Sequence, residues 1–426
     1  MEEETHDSFR ARAVARPRRG DGRLRVVAAP SRLAAVRRTL ARLHREGRRR
    51  EAWGPAGPKA LWERDLGDGY SGIVTDGSVL YTLYTPLAWF GLSTRSEEAV
   101  VAIDAGTGRT LWEKRDPVEA LPPMNMEYGP GPHSTPLIAG ARVFTVGVTG
   151  RFQAFDAKTG AVRWARELWK DLGGKVMGRG YSCSPLAWGD TVIVAVGGEG
   201  PGLVAFSQED GSIRWKSPSL EVSPSSPVVI DVAGEPQIVY FAAGDVVGID
   251  PQTGARLWSH PHSTSYGLNI ALPVQAEDGV LVVSSAYSGG TRALRLIREG
   301  GRTRVEELWH TNQMRVHHGN LVPIGDHAYG SSGDFGPTPL SAVDLRSGKV
   351  VWRDRAFAKA KLIRADERLV VLDEDGSLGL VRVSPAGLEV EARAEVFSSR
   401  SWTAPTLVGS RLYLRDRKKM RALDLS

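Results

Sequence analysis

Residues 100–112 read Val-Val-Ala-Ile-Asp-Ala-Gly-Thr-Gly-Arg-Thr-Leu-Trp, which is a short run of strand-forming residues, a turn and a second run that ends in Trp112. Asp104 is expected to open the turn by accepting hydrogen bonds from backbone N–H groups two or so residues on. Gly108 is expected to supply the left-handed conformation of a hairpin with a bulge. The stretch therefore predicts a β-hairpin with a large aromatic ring at a fixed place on its outgoing strand.

The chain repeats this pattern in four further stretches, 152–164, 203–215, 246–258 and 340–352. Each copy places Gly four residues before Trp, and all but the third, which has Ser207, place Asp four residues before that Gly. A ring at a constant place predicts a constant pocket, most simply on the adjacent repeat. The shared residues are Asp104, Gly108, Trp112, Asp156, Gly160, Trp164, Gly211, Trp215, Asp250, Gly254, Trp258, Asp344, Gly348 and Trp352.

Two degenerate copies of the repeat and two half copies complete the series. Trp309 follows a longer turn without the Asp, and Glu391 stands where the next Trp is expected. The outgoing strand around Trp62 has no incoming partner, while an incoming strand at 420–424 has no outgoing one. The tryptophans are 43–52 residues apart, which is the spacing of a four-stranded blade. We predict an all-β, eight-bladed β-propeller over residues 53–426, closed by its N- and C-terminal strands.

Charge divides the chain into two parts. The net charge is +6, but residues 1–50 contain 15 Arg against 6 acidic residues, so the propeller itself is mildly acidic. A nucleic-acid partner is therefore not expected for the propeller. Cys183 is the single cysteine, which excludes an internal disulfide, and no apolar run reaches the length of a membrane-spanning helix.

The basic extension, residues 1–52, has two interpretations. Ser31 can cap an amphipathic helix over 32–48, with apolar residues on one face and Arg on the other. Such a helix would contact an acidic partner or membrane surface. The alternative is a disordered extension that is not part of the native product. The extension lacks the apolar segment of a secretory signal.

Alignment of the blade openings gives one column of residues, and the residue after each member is small. If this column begins the innermost strands, it surrounds one mouth of the central channel. Its side chains could converge on an anionic or planar ligand, or they could be ordinary, partly hydrated residues at the loop-to-strand junctions. The column consists of Tyr70, His133, Ser182, Pro224, Ile270, His318, Lys359 and Trp402.

No catalytic residue or metal ligand is assigned from the sequence. His317 and His318 are adjacent, so on a strand they would point to opposite faces and could not chelate one metal together. The Asp residues of the repeats are expected to cap turns. The binding candidates of the column are therefore Tyr70, His133, Ser182, His318, Lys359 and Trp402.

The pattern Ala-x-Asp-x-x-Thr-Gly-x-x-x-Trp resembles the tryptophan-docking motif of the pyrroloquinoline-quinone (PQQ)-type β-propellers. The resemblance extends from Trp53 to the C-terminus. This group includes quinoprotein dehydrogenases and non-enzymatic relatives such as the outer-membrane-assembly lipoprotein propeller. The resemblance implies a periplasmic or cell-envelope location and makes PQQ a possible cofactor.

Three functions remain open at this level. The first is a non-catalytic scaffold that binds a protein or envelope partner through one face of the ring. The second is a PQQ-binding oxidoreductase with a divergent site, and the third is a carbohydrate- or small-molecule-binding module. Catalytic quinoproteins characteristically carry a vicinal disulfide, a carboxylate-bound Ca²⁺ and an Asp base. Cys183 alone cannot form that disulfide, which favours the scaffold.

Overall fold

The computed structural model describes residues 53–426 except 55, 87–94, 126, 130 and 366. The extension 1–52 and its predicted helix 32–48 lie outside the described residues. The described chain forms eight four-stranded antiparallel sheets, which confirms the predicted eight-bladed propeller. No helix in the described part combines the length and the apolar character that a membrane crossing needs.

Strand β1 (Lys59–Asp65) comes first in the chain, and we number the blades from the sheet that follows it. Within each blade the strands run in sequence from the innermost to the outermost. Blades 1 to 4 comprise β2 (Val74–Thr75), β3 (Val79–Tyr84), β4 (Arg95–Asp104) and β5 (Thr110–Glu119); β6 (Leu137–Ala139), β7 (Arg142–Val146), β8 (Arg151–Asp156) and β9 (Val162–Glu167); β10 (Leu186–Trp188), β11 (Thr191–Ala195), β12 (Leu203–Ser207) and β13 (Ile213–Lys216); and β14 (Val228–Val232), β15 (Glu235–Phe241), β16 (Asp245–Ile249) and β17 (Arg256–Pro261).

The remaining blades follow the same plan, and the last one takes its outermost strand from the N-terminus. Blades 5 to 8 comprise β18 (Val274–Gln275), β19 (Leu281–Ser285), β20 (Gly290–Glu299) and β21 (Arg302–Thr311); β22 (Val322–Ile324), β23 (His327–Ser331), β24 (Pro339–Asp344) and β25 (Val350–Ala358); β26 (Lys361–Ala365), β27 (Arg368–Leu372), β28 (Ser377–Ser384) and β29 (Gly387–Glu395); and β30 (Thr406–Val408), β31 (Arg411–Arg415), β32 (Lys419–Asp424) and β1.

The two ends of the chain close the ring. Strand β1 pairs antiparallel with β32, which places Trp62 opposite Ala422. The fully buried Arg415 of blade 8 also donates hydrogen bonds to Leu83 O (2.7 Å) and Thr82 Oγ1 (3.0 Å) of blade 1. The predicted closure by the N- and C-terminal strands is confirmed.

The repeated hairpins have the local geometry that their sequence requires. Asp104 Oδ1 accepts hydrogen bonds from the N–H groups of Gly106 (3.1 Å) and Thr107 (2.7 Å). Gly108 lies in the left-handed region at φ 74°, and the strand register shifts just before it, between Ala102 and Ile103. This is a turn followed by a bulge, and it aims the next Trp out of its own sheet.

Five of the tryptophans pack on the turn glycine of the next blade, whereas Trp352 contacts blade 7 through a hydrogen bond from its Nε1 to Ser384 O (2.8 Å). A Cβ built on Gly108 would lie 2.8 Å from the ring of Trp62, so only glycine leaves room for the indole. Trp62 Nε1 donates a hydrogen bond to Ala105 O (3.1 Å) in the same turn. The other pairs of this kind are Trp112 with Gly160, Trp164 with Gly211, Trp215 with Gly254 and Trp309 with Gly348.

For Trp258 the prediction of a docking pocket on the adjacent blade is wrong. Blade 5 has a long β20–β21 hairpin and lacks the repeated turn that would receive the ring. Trp258 instead packs on Gly248 of its own blade, where a Cβ would come within 2.0 Å of Nε1. Its Nε1 donates to Gln237 Oε1 (2.7 Å), and Gln237 Nε2 donates to Thr303 Oγ1 (2.8 Å) of blade 5.

One short helix, α1 (Leu168–Leu172), interrupts the strands of the described chain. Sequence analysis predicts no helix within the propeller. The helix follows blade 2, buries Leu168 and Trp169, and ends at Gly173 with φ 70°. Five residues carry too little periodicity to be recognised without the fold around them.

Candidate functional site at the mouth of the channel

The two faces of the ring differ in their connections. One face, which we call the loop face, carries the segments that join neighbouring blades and those that join the second and third strands of a blade. The opposite face carries the tight hairpin turns, including the tryptophan-docking turns. Loops on one face of a repeat scaffold commonly carry its binding residues.

The candidate column lies on the loop face, but it does not begin the innermost strands as expected. Tyr70, His133, Ser182, His318 and Trp402 each precede the first strand of a blade by four residues, and Lys359 precedes β26 by two. The small residues that follow them are buried in all cases except the half-buried Gly319. The chain therefore enters each blade through a tightly packed segment.

Five of the six candidates come together. The Tyr70 ring stacks on His133 (5.6 Å between ring centroids, 8° between planes) and on Trp402 (5.4 Å, 30°). Trp402 lies 4.7 Å from the ring of His318, and Lys359 Nζ lies 5.6 Å from the Trp402 ring. Trp402 opens blade 8 and His318 opens blade 6, so their contact passes over the inner end of blade 7. We call this cluster, at the inner ends of the blades on the loop face, the mouth of the channel.

Ser182 is not part of this cluster among the described contacts. Its hydroxyl donates a long hydrogen bond to Gly180 O (3.4 Å) in its own segment. The neighbouring Cys183 is fully buried, and burial raises the pKa of its thiol to about 12. The opening of blade 3 therefore offers packing rather than a reactive group.

Sequence reasoning missed a group of aromatic residues on the loop face. Tyr128, in the segment after blade 1, accepts a hydrogen bond from the Tyr70 hydroxyl through its carbonyl and lies 6.3 Å from Trp402. Tyr287 lies 5.0 Å from Tyr266 and 5.5 Å from Phe335. These residues belong to unrelated loops and share no motif, so only the length of the segment after blade 1 could have drawn attention to one of them.

The pair His317–His318 contradicts the expectation from strand alternation. Both residues lie in a bend outside β22, and their rings are 4.9 Å apart. His317 Nε2 is hydrogen-bonded to the Tyr287 hydroxyl (2.8 Å), which links the column to the aromatic loops. The period of two applies only within a strand, and these residues are outside one.

Burial keeps the imidazoles of the mouth neutral near pH 7. It lowers the pKa of His133 to about 4, with the charge of Arg179 acting in the same direction. It also lowers the pKa of His317 to about 4 and that of His318 well below its ordinary value, in both cases helped by nearby lysines. The positive charge of the site therefore comes from its Lys and Arg side chains.

Guanidinium groups cover the aromatic rings of the mouth. Arg400 lies 4.5 Å from the Trp402 ring centroid, Arg179 lies 4.6 Å from that of Tyr128, and Arg417 lies 5.8 Å from that of Tyr70. Each contact places a cation over an electron-rich ring face. The mouth is thus an aromatic surface with a positive rim.

These residues do not fit the calcium-bound PQQ of catalytic quinoproteins. The described chain contains no group of three or more His, Cys, Asp or Glu side chains that could hold a metal ion. Cys183 is the single cysteine, so no vicinal disulfide can form. The rings of Tyr70, His133 and Trp402 stack on one another and leave no face free for a planar cofactor between them.

We call the contact between two neighbouring blades a seam. The eight sheets and the tryptophans docked at their seams define an eight-bladed β-propeller. Residues 96–354 match the family described as outer membrane protein assembly factor BamB. That match covers more than half of the chain, and the protein belongs to this family of PQQ-like propellers. The resemblance inferred from the docking motif is confirmed.

Two curated relatives carry that same description. The protein from Yersinia pestis is 25% identical over 332 residues, which cover 73% of this chain and 74% of the relative. The protein from Burkholderia pseudomallei (strain K96243) is 24% identical over 294 residues, which cover 67% of this chain and 71% of the relative.

Solved structures of a BamB protein and of a quinoprotein dehydrogenase share the fold. BamB from Moraxella catarrhalis superposes with a TM-score of 0.59 at 18% identity, covering 87% of this chain and 98% of that one. Quinohemoprotein alcohol dehydrogenase from Comamonas testosteroni gives 0.57 at 14% identity, covering 86% and 76%. At these identities the superpositions establish the architecture alone.

Proposed function

We propose that this protein is a non-catalytic scaffold of the cell envelope that binds a protein component of outer-membrane protein assembly through its loop face. The family match and the descriptions of the relatives support the process and the location. The observation that carries the proposal is the cluster of exposed aromatic side chains on the loop face.

The aromatic side chains of this cluster expose an unusually large area for the surface of a globular protein. Phe335 is 74% exposed, Tyr266 66% and Tyr128 43%. Tyr287 lies between Tyr266 and Phe335, and burial, followed by the nearby Asp334, Tyr128 and Tyr266, raises the pKa of its hydroxyl. The rings of Tyr266, Tyr287 and Phe335 form one surface, which we call the aromatic patch. The ring contacts of Trp402, His318 and His317 connect Tyr128 to this patch.

Other exposed apolar residues are arranged differently. Leu111, Val162 and Ile213 lie on the outermost strands of successive blades, one per blade and beside the docking tryptophans. Single exposed apolar residues are normal on a protein surface, whereas a contiguous patch marks an interaction site. Tyr and Arg are also enriched where binding energy concentrates.

The aromatic patch is held in place before any partner arrives. Tyr287 has φ 54°, an uncommon conformation for a residue with a side chain. Its N–H donates to Asp334 Oδ1 (3.0 Å), and Asp334 is paired with Arg315 (2.9 Å). A preorganised surface loses less entropy on binding.

Site-specific photo-crosslinking tests the proposal in the native cell. A photoreactive phenylalanine analogue at Phe335 or Tyr266 should crosslink to a protein of the outer-membrane assembly machinery, identified by mass spectrometry. The matched control is the same analogue at Val162, which is 51% exposed but lies on an outermost strand. Crosslinks of equal yield from all three positions, or none from Phe335 and Tyr266, would contradict the proposal.

A further inference from the structure

The mouth of the channel contains a buried cation whose charge no carboxylate balances. Lys361 is 6% exposed, and its ammonium donates to His318 Nδ1 (2.6 Å) and to the His318 carbonyl. An ammonium carries three N–H donors, and the described contacts of Lys361 include no third acceptor. No ion pair reaches Lys361 in the described part of the chain.

Arg415 shows how this fold ordinarily treats a buried cation. Its guanidinium is fully buried, and it donates to Leu83 O (2.7 Å), Thr82 Oγ1 (3.0 Å) and Gly69 O (3.2 Å), with longer contacts to three further carbonyls. Buried donors are usually satisfied in this way because an unpaired one destabilises the fold. Lys361 differs from Arg415 because both of its described acceptors belong to one residue, His318.

His318 adds a second donor without a partner. When Lys361 is charged, its ammonium donates to Nδ1, so the imidazole proton must be on Nε2. His318 Nε2 is buried and has no hydrogen-bond partner. Two adjacent side chains therefore present unused donors in the same small region.

The carboxylates of the mouth are engaged elsewhere. Glu374 accepts from Trp402 Nε1 (3.1 Å), Asp334 is paired with Arg315, and Asp68 is paired with Arg417 (2.7 Å). Lys359 adds a further positive charge beside Lys361. Asp334 and Asp68 are thus each paired with an arginine, and none of these three carboxylates pairs with Lys361 or Lys359 among the described contacts.

We propose that the mouth of the channel binds a small oxyanion, a phosphate or carboxylate group, between Lys361, His318 and Lys359. An oxyanion supplies several acceptors and a negative charge at once, which is what the two unused donors and the two ammonium groups lack. Trp402, which packs on His318, would have to move aside or form the wall of the site. This site is independent of the partner proposed for the aromatic patch.

Binding should be linked to protonation of Lys361. Burial, followed by the charge of Lys359, lowers the pKa of Lys361 to about 7. The amine is therefore mostly neutral at pH 8, and a bound anion favours its charged form. Anion binding at pH 8 should accordingly take up a proton from the buffer.

Isothermal titration calorimetry of the purified chain at pH 8 tests the site. Inorganic phosphate and benzoate are titrated in two buffers of different ionisation enthalpy. We expect saturable binding of at least one of them, with proton uptake. Lys361→Met should weaken that binding by about tenfold or more, which corresponds to about 1.4 kcal/mol.

The matched control is Lys216→Met, since Lys216 is exposed on the outermost strand β13. It should bind as tightly as the parent, and the melting temperature of each variant shows that it is folded. His318→Phe, which keeps a ring against Trp402 but has no donor, should also bind weakly. Absence of saturable binding by both anions, unchanged binding in Lys361→Met, or binding without proton uptake would overturn the proposal.

Discussion

The seam between blades 2 and 3 and the seam between blades 4 and 5 bury an indole in different ways. Trp164 packs over Gly211 of the next blade and donates to the Gln208 carbonyl (3.2 Å). Trp258 packs on Gly248 of its own blade and donates to Gln237, which bonds to Thr303 of the next blade; the ring also shares a buried cluster with apolar residues of that blade. In the repeat, the backbone of a turn stabilises the seam. Where that turn is lost, contacts between side chains take its place.

The largest effect is expected at the regular seam. Trp164→Ala should lower the free energy of unfolding by about 3–5 kcal/mol, because it removes a buried ring that joins two sheets. Chemical denaturation measures this difference. Leu111→Ala is the control, since Leu111 is half exposed on an outermost strand, and it should change stability by less than about 0.5 kcal/mol. An unchanged midpoint for Trp164→Ala would count against the docking role.

The seam between blades 1 and 2 adds a buried carboxyl group to the docked Trp112. Glu98 is buried, and its Oε2 accepts from the Val148 N–H (2.9 Å) across the seam. Burial raises its pKa to about 7. A raised folded-state pKa gives stability that is fully present below the unfolded value, near 4.5, and is lost as pH rises through about 7.

Glu98→Gln should therefore be more stable than the parent at pH 8, by up to about 3 kcal/mol, and about equally stable near pH 4.5. Gln keeps an oxygen that can accept from Val148 but has no charge to bury. Denaturation curves at the two pH values give the comparison. A stability difference that does not change with pH would show that the Glu98 charge is not the cause.

The relay at the divergent seam should have a smaller effect than the loss of an indole. Gln237→Ala leaves Trp258 Nε1 without its acceptor and should cost about 1–3 kcal/mol. In a Trp258→Phe background, which has no N–H group, the same substitution should cost clearly less. Equal costs in the two backgrounds would mean that the Trp258–Gln237 hydrogen bond does not support the seam.

The sequence predicts those structural features that depend on residues close together in the chain. Asp104, Gly108 and Trp112 specify a hairpin within thirteen residues, and the half copies at the two ends predict the closed ring. The changed packing of Trp258 could not be predicted, because a lengthened turn shows that a pocket is lost but not where the ring goes.

The candidate site could be predicted less completely than the fold, because its residues come from separate loops rather than from one local motif. The alignment of blade openings brought Tyr70, His133, His318, Lys359 and Trp402 into one column, and the ring symmetry brings them together in space. Tyr266 and Phe335 join the surface through loops of different blades, so no spacing in the sequence connects them. Lys361 became a candidate only when its burial and its missing acceptor were visible.

The central claim is that the seams hold the ring together while the loop face binds the partner. It is tested most directly by purifying the envelope complex through the double variant Tyr266→Ser, Phe335→Ser. Both side chains are exposed, so the unfolding midpoint should stay at the parent value while the assembly partner is lost from the complex. Retention of the partner at parent levels by a stable double variant would contradict the account.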